Sequence, residues 1–189
     1  MKDWNIIHFM NATPEEQRDV QVIAKCSAAY NSIKPKRAEI IEAALSVEGL
    51  LDQVILDLLV GRDASKRALN TELILSAEFC TSFQKWKILT RLMSELPSYF
   101  EKLSEEERKT LRKEIHELIK DRNRFVNGDL FVNVADNYAV DLRYYEGGTH
   151  YLRITDQILT ESLARALRCR EALWRLHSNF GTDLQTAVI

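Results

Sequence analysis

The feature that most restricts how this chain can fold is a ladder of apolar residues between Lys36 and Val60. Ile40, Ala44, Val47, Leu51, Val54 and Leu58 alternate steps of four and three, which is the spacing of one helix face. A second line, Ile41, Leu45, Glu48, Asp52, Ile55 and Leu59, runs beside it. Together they form a wide apolar arc, the signature of a helix at the centre of a bundle. The chain has 6 glycines and 3 prolines in 189 residues, so little interrupts long helices.

Two carboxylates, Glu48 and Asp52, break the second line. Either they sit at the margin of the arc and touch water, or one of them meets a cation across the bundle. The candidate cation is Arg122. Leu111, Ile115, Leu118 and Phe125 recur at helical spacing, Arg122 fills the gap on that stripe, and Asn123 lies beside it. Burying a guanidinium without partners is costly, so Arg122 needs an acidic partner or a polar cleft. A bidentate pair with Glu48 or Asp52 would satisfy both charges.

The remaining chain reads as one domain over residues 13–180, with an N-terminal arm (1–12) and a C-terminal tail (181–189). Thr13-Pro14-Glu15-Glu16 is a capping-box start for a helix reaching about Tyr30, and 31–35 is a link containing Pro35. Gly61-Arg62-Asp63 closes the central helix. A weaker helix over Ser65 to Phe79 and a helix over Phe83 to Leu96 follow, the latter stopped by Pro97. Ser104 to Glu107 forms a second capping box, opening the helix that carries Arg122. Between about 130 and 155 the pattern changes. Leu130–Val134, Tyr138–Tyr145 and His150–Thr155 read as a small β-hairpin or meander turning at Gly147-Gly148. Thr155 or Asp156 then caps a long last helix. The expected fold is therefore mainly α, with a short β-hairpin before the last helix.

Hydrophobic residues make up 46% and charged residues 29% of the chain, and the formal net charge is −2. This excludes a protein coated in positive charge but allows a local basic groove. Three distant cysteines suit a reducing compartment and give no disulfide or zinc framework. The N-terminus is too polar for a signal peptide. The most apolar run, Leu50 to Val60, is broken by Asp52, Gln53 and Asp57, so no membrane span is expected. A cytoplasmic location follows as the expectation. No Gly-rich phosphate loop and no serine elbow are present. His8, His116, His150 and His177 fall in different elements, so neither a metal nor another cofactor is expected. His116 reads as a solvated helix residue, and Cys80 as a buried structural thiol.

The long helix with Glu48 and Asp52, the Phe83–Leu89 helix, the segment Arg122-Asn123-Arg124-Phe125-Val126-Asn127-Gly128, the short β excursion and the closing helix follow one another in an order that resembles the HEPN superfamily (higher eukaryotes and prokaryotes nucleotide-binding). The resemblance covers roughly residues 36–180 and implies a HEPN-like helical bundle. In that family an arginine, usually followed by a polar residue, stands four to six positions from a histidine. The pair forms a metal-independent ribonuclease site at a dimer interface. Arg122 and Asn123 match the first half, and Gly128 matches the glycine that often follows the histidine. The histidine position is held by Asn127, an amide that orients by hydrogen bonding but exchanges no proton near neutrality. Asn127-Gly128 is also the ordinary composition of a helix C-terminus entering a left-handed turn.

The resemblance therefore implies a degenerate HEPN homodimer that binds RNA, a nucleotide phosphate or a partner protein of the antitoxin kind, with little ribonuclease activity. Its alternatives are a toxin-like endoribonuclease, of the sort found in defence systems, that uses Arg122 from both subunits, and an interaction scaffold in which Arg122 is half of a buried ion pair. Arg165, Arg168 and Arg175 on the last helix, and Arg108, Lys109, Arg112 and Lys113 on the motif helix, are interleaved with glutamates and read as charge-mixed solvated faces.

Overall fold

A computed structural model describes residues 8–76 and 80–179. The elements are β1 (His8–Met10), α1 (Val20–Val60), α2 (Ala64–Asn70), α3 (Ser82–Glu95), α4 (Glu105–Asn127), β2 (Asp129–Asn133), β3 (Ala139–Tyr145), β4 (Thr149–Arg153) and α5 (Asp156–Asn179). The fold is mainly helical with one small sheet. No helix among the described residues is long and apolar enough to cross a membrane. The chain divides into two units, 1–42 with 121–163 and 43–120 with 164–189.

The first unit is built on the sheet, in the order β1-β2-β3-β4. β2, β3 and β4 form an antiparallel meander, with Leu130 opposite Leu142 and Leu142 opposite Leu152. Alternation sends Leu130, Val132, Val140 and Leu142 to the buried face, as a half-covered sheet requires. They close a core with Cys26, Tyr30, Ile33 and Ile40 of α1, Phe125 of α4 and Leu159 of α5. The meander turns at Gly147, whose φ of 69° is one that L side chains rarely adopt,. The expected arm enters this unit: His8–Met10 pairs in parallel with β2, His8 against Phe131. The rest of that arm, residues 1–7, and the tail at 181–189 lie outside the described residues.

The second unit is a helical core. Val47, Leu51, Val54 and Ile55 of α1 pack with Leu89 and Met93 of α3, Leu111, Ile115 and Leu118 of α4, and Ala166, Cys169 and Leu173 of α5. The apolar ladder is thus buried as its spacing predicts. The second line is only partly so, because Leu45 and Leu59 are exposed.

Three expectations from the sequence are corrected. No link separates two helices at 31–35, since α1 continues from Val20 to Val60 with Pro35 inside it. A proline inside a helix removes one backbone hydrogen bond and crowds the carbonyl four residues earlier. Pro35 and Asn31 are both exposed, so water can take up that carbonyl. Thr13 and Glu16 do form a reciprocal cap, with Thr13 N–H donating to Glu16 Oε2 at 2.8 Å and Glu16 N–H to Thr13 Oγ1 at 3.2 Å. That cap opens only a single 3₁₀ turn, Glu16–Arg18. The long helix is capped separately by Asp19 Oδ1, which accepts from Gln21 N–H at 2.7 Å. Finally, the helix expected over 65–79 is short: α2 ends at Asn70 and a π turn, Thr71–Leu75, follows. Residues 77–79 lie outside the described residues.

Candidate functional site

Arg122 lies on the last turns of α4, within the first unit. It is half-buried. Its Nε is buried with no hydrogen-bond partner, and its Nη1 donates to Asn123 Oδ1 at 3.0 Å. A buried unsatisfied donor is uncommon in a folded chain and calls for an explanation. Asn123 and Asn127 are both exposed; of the two amides, Asn123 bonds the guanidinium, whose donor capacity exceeds the acceptors found for it. The Nε of Arg124 is likewise buried without a partner. Its Nη2 donates to Glu146 Oε2 at 3.1 Å, and its guanidinium lies 5.1 Å from the centre of the Tyr144 ring. Burial disfavours the charge on Arg124, but Glu146 and its other acidic neighbours outweigh that and hold it firmly protonated. Asp121 accepts from the buried Ser162 hydroxyl at 3.1 Å.

The backbone under this segment is fixed by Arg37, which the sequence reading passed over. Its guanidinium is buried, with Nε donating to the Phe125 carbonyl at 2.7 Å and Nη2 to the Gly128 carbonyl at 2.9 Å. A longer contact of 3.4 Å reaches the Val126 carbonyl. These are the carbonyls left open where a helix ends, and a cation also suits that end of the helix dipole. The signal was present in the sequence. Tyr30, Ile33, Arg37, Ile40 and Ala44 continue the four-three ladder backwards, which puts Arg37 on the buried face.

Gly128 does not enter a left-handed turn, and neither does Asn127; the positive-φ glycines among the described residues are Gly61 and Gly147. Glycine is needed at 128 for another reason. A Cβ there would stand 2.6 Å from the Arg124 carbonyl oxygen, 2.7 Å from Leu142 Cδ1 and 2.9 Å from the Arg143 carbonyl oxygen. The motif glycine lets β3 approach the end of α4.

The carboxylates proposed as partners of Arg122 are engaged elsewhere. In the second unit, Lys85 donates to Asp52 Oδ2 at 2.8 Å and to Glu48 Oε1 at 3.4 Å. Burial opposes the charge on Lys85, but the two carboxylates overcome it and raise its pKa; burial also raises that of Asp52. Lys85 occupies a buried position on α3 that the apolar pattern of that helix did not disclose. A second network in this unit also escaped the sequence reading. Asp57, almost fully buried, accepts from Arg67 Nη1 at 2.6 Å, and His177 Nδ1 lies 2.6 Å from its other oxygen. An open groove of about 590 Å³ runs past Ser46, Leu50, Leu167 and Trp174.

His116 is not simply solvated. It is half-buried, and its ring stacks on Trp86 at 4.7 Å. The basic faces are charge-mixed as expected, with Arg168 bonded to Glu114 at 2.7 Å and Arg175 to Glu107 at 3.4 Å. Cys80 is buried and its thiol pKa is raised by burial. Among the described residues no group of three or more His, Cys, Asp or Glu side chains could hold a metal ion.

Chemically, the arrangement around Arg122 can bind an anion through guanidinium and amide donors. The side chains at 122, 123 and 127 include no group that exchanges protons near neutral pH. Comparison with family models, with curated proteins and with solved structures returns no match.

Proposed function

We propose that this chain is a degenerate HEPN-like protein that binds the phosphate of single-stranded RNA, as a homodimer, with little or no ribonuclease activity. The observation that carries this reading is Arg122. It is a half-buried arginine with an unpartnered Nε, bonded to the exposed amide of Asn123, with the exposed Asn127 at the end of the same helix. A planar guanidinium suits phosphate recognition because its fork of donors matches the phosphate oxygens. Asn127 stands where the resembled family places its imidazole. An amide there can orient a phosphate but cannot relay a proton, a contribution typically of about 10²–10⁴-fold.

The test is fluorescence anisotropy with a labelled single-stranded RNA heptamer at two salt concentrations, with electrophoresis of the same RNA in chelator to detect cleavage. Binding that weakens with salt, as phosphate contacts do, and that falls at least tenfold in Arg122→Ala supports the proposal. Equal binding by wild type and Arg122→Ala, or none by either, refutes it. Cleavage in chelator that disappears in Arg122→Ala refutes the degenerate assignment in favour of an endoribonuclease.

A further inference from the structure

Two residues along α4 from Arg122, in the same unit, Arg124 belongs to an aromatic group that the phosphate-binding reading does not use. The Arg124 guanidinium lies 5.1 Å from the centre of the Tyr144 ring. His150 stacks on the same tyrosine at 5.5 Å with the planes 24° apart. The pairing of β3 and β4 sets this contact, because Tyr144 and His150 are directly opposite in register. His150 Nε2 lies 3.1 Å from the Glu146 carbonyl oxygen. A carbonyl only accepts, so Nε2 carries the proton in that bond. In the neutral imidazole Nδ1 is then a free acceptor. His150 is exposed, and among the described residues its ring stacks on no other ring than Tyr144.

We propose that His150 is a stacking platform for an unpaired nucleobase of the RNA whose phosphate Arg122 holds; this rests on the reading above. Three features support it. The ring is anchored on one side by Tyr144 and at its edge by Glu146, so little side-chain freedom is lost when a base settles on it. Unstacked bases are recognised by stacking on aromatic and histidine side chains together with hydrogen bonds at the base edge. Nδ1 leaves an acceptor in the plane of the ring, which a 2′-hydroxyl or the amine of a neighbouring base, not the stacked one, can use. Arg124 also contacts the tyrosine, and its bond to Glu146 offsets a carboxylate that would otherwise repel a phosphate. The ligand class that fits is a single strand with at least one unpaired base. A duplex keeps its bases stacked on each other and out of reach.

The experiment compares two probes by anisotropy at one salt concentration. One is the labelled single-stranded RNA heptamer, the other a heptamer with the same ribose-phosphate backbone and no bases. Wild type should bind the base-bearing strand more tightly. His150→Ala should lose about tenfold to hundredfold on that strand, the range expected for one stacked base, and lose nothing on the abasic strand. His150→Phe should retain most of the difference. Arg122→Ala should weaken both probes. An unchanged affinity of His150→Ala for the base-bearing strand overturns the platform, as does equal binding of the two probes by wild type; in both cases phosphate binding stands. If wild type binds neither probe, the phosphate reading falls and the platform with it. His150 is exposed, so its replacement leaves the core intact.

Discussion

Replacing Arg37 by methionine keeps the side-chain volume and removes the guanidinium that closes the end of α4. Two of its bonds to carbonyls are short, 2.7 and 2.9 Å, and the third, at 3.4 Å, is long. Hydrogen bonds from a charged donor contribute roughly 1.5–3 kcal/mol each. The two short ones therefore account for about 3–6 kcal/mol, and the long one adds little. The apolar methionine regains part of this by burial, so a net loss of about 3–4 kcal/mol is expected. For a domain of this size that corresponds to roughly 6–16 °C in melting temperature. Urea denaturation followed by circular dichroism measures the loss. Arg37→Lys supplies one ammonium in place of the planar fork and should recover about half of it. A loss below about 1 kcal/mol for Arg37→Met would show that the carbonyls find other donors, and would refute the assignment of Arg37 as the helix cap.

Three further outcomes follow from the same geometry. Lys85→Met leaves Glu48 and Asp52 without their cation and should destabilise by about 2–3 kcal/mol, below the usual cost of a broken buried pair because both carboxylates keep some solvent contact. Adding Glu48→Gln and Asp52→Asn should return most of that in the same urea assay; no recovery would contradict the pairing. Gly128→Ala forces a Cβ against two backbone oxygens and should cost at least about 1–3 kcal/mol, so a neutral melting temperature would disprove the close approach. Burial pushes the Cys169 thiol up to about 12 from an ordinary 9.0. The folded pKa exceeds the unfolded one, so the stabilising contribution is complete below pH 9 and is lost as pH rises towards 12. The full shift corresponds to something on the order of 4 kcal/mol. Cys169→Ala should therefore flatten the alkaline limb of a stability–pH profile, and an unchanged limb would argue against the shift.

The apolar ladder of α1, the stripe of α4 and the β meander were legible because each depends on local periodicity. Pro35 misled for the same reason. In sequence a proline reads as a break, and only the exposure of Pro35 and Asn31 in the fold shows that the freed carbonyl faces water. Arg37 was readable in principle, since it falls on the ladder, but a charged residue on an apolar face points to no particular partner. Its acceptors, the carbonyls of Phe125 and Gly128, lie far along the chain. The choice of Lys85 rather than Arg122 for Glu48 and Asp52 is likewise a matter of which helices meet, which spacing within one helix cannot say. Asp57 and His177 share a hydrogen bond across most of the chain, and the apolar run around Asp57 gave no hint of it. Asn127-Gly128 reads in sequence as a left-handed helix end, but the requirement for glycine at 128 is set by the close approach of β3.

The parallel pairing of His8–Met10 with Phe131–Asn133 has a bearing on how the chain matures. Its earliest described strand cannot find its neighbour until β2 has left the ribosome. During synthesis His8–Met10 and the first half of α1 must wait while every residue from 43 to 120 is added. Pairings between such distant positions are slow to form, because a long loop must close first. Until then the edge of His8–Met10 is open to a chaperone or to a wrongly matched strand from another polypeptide,.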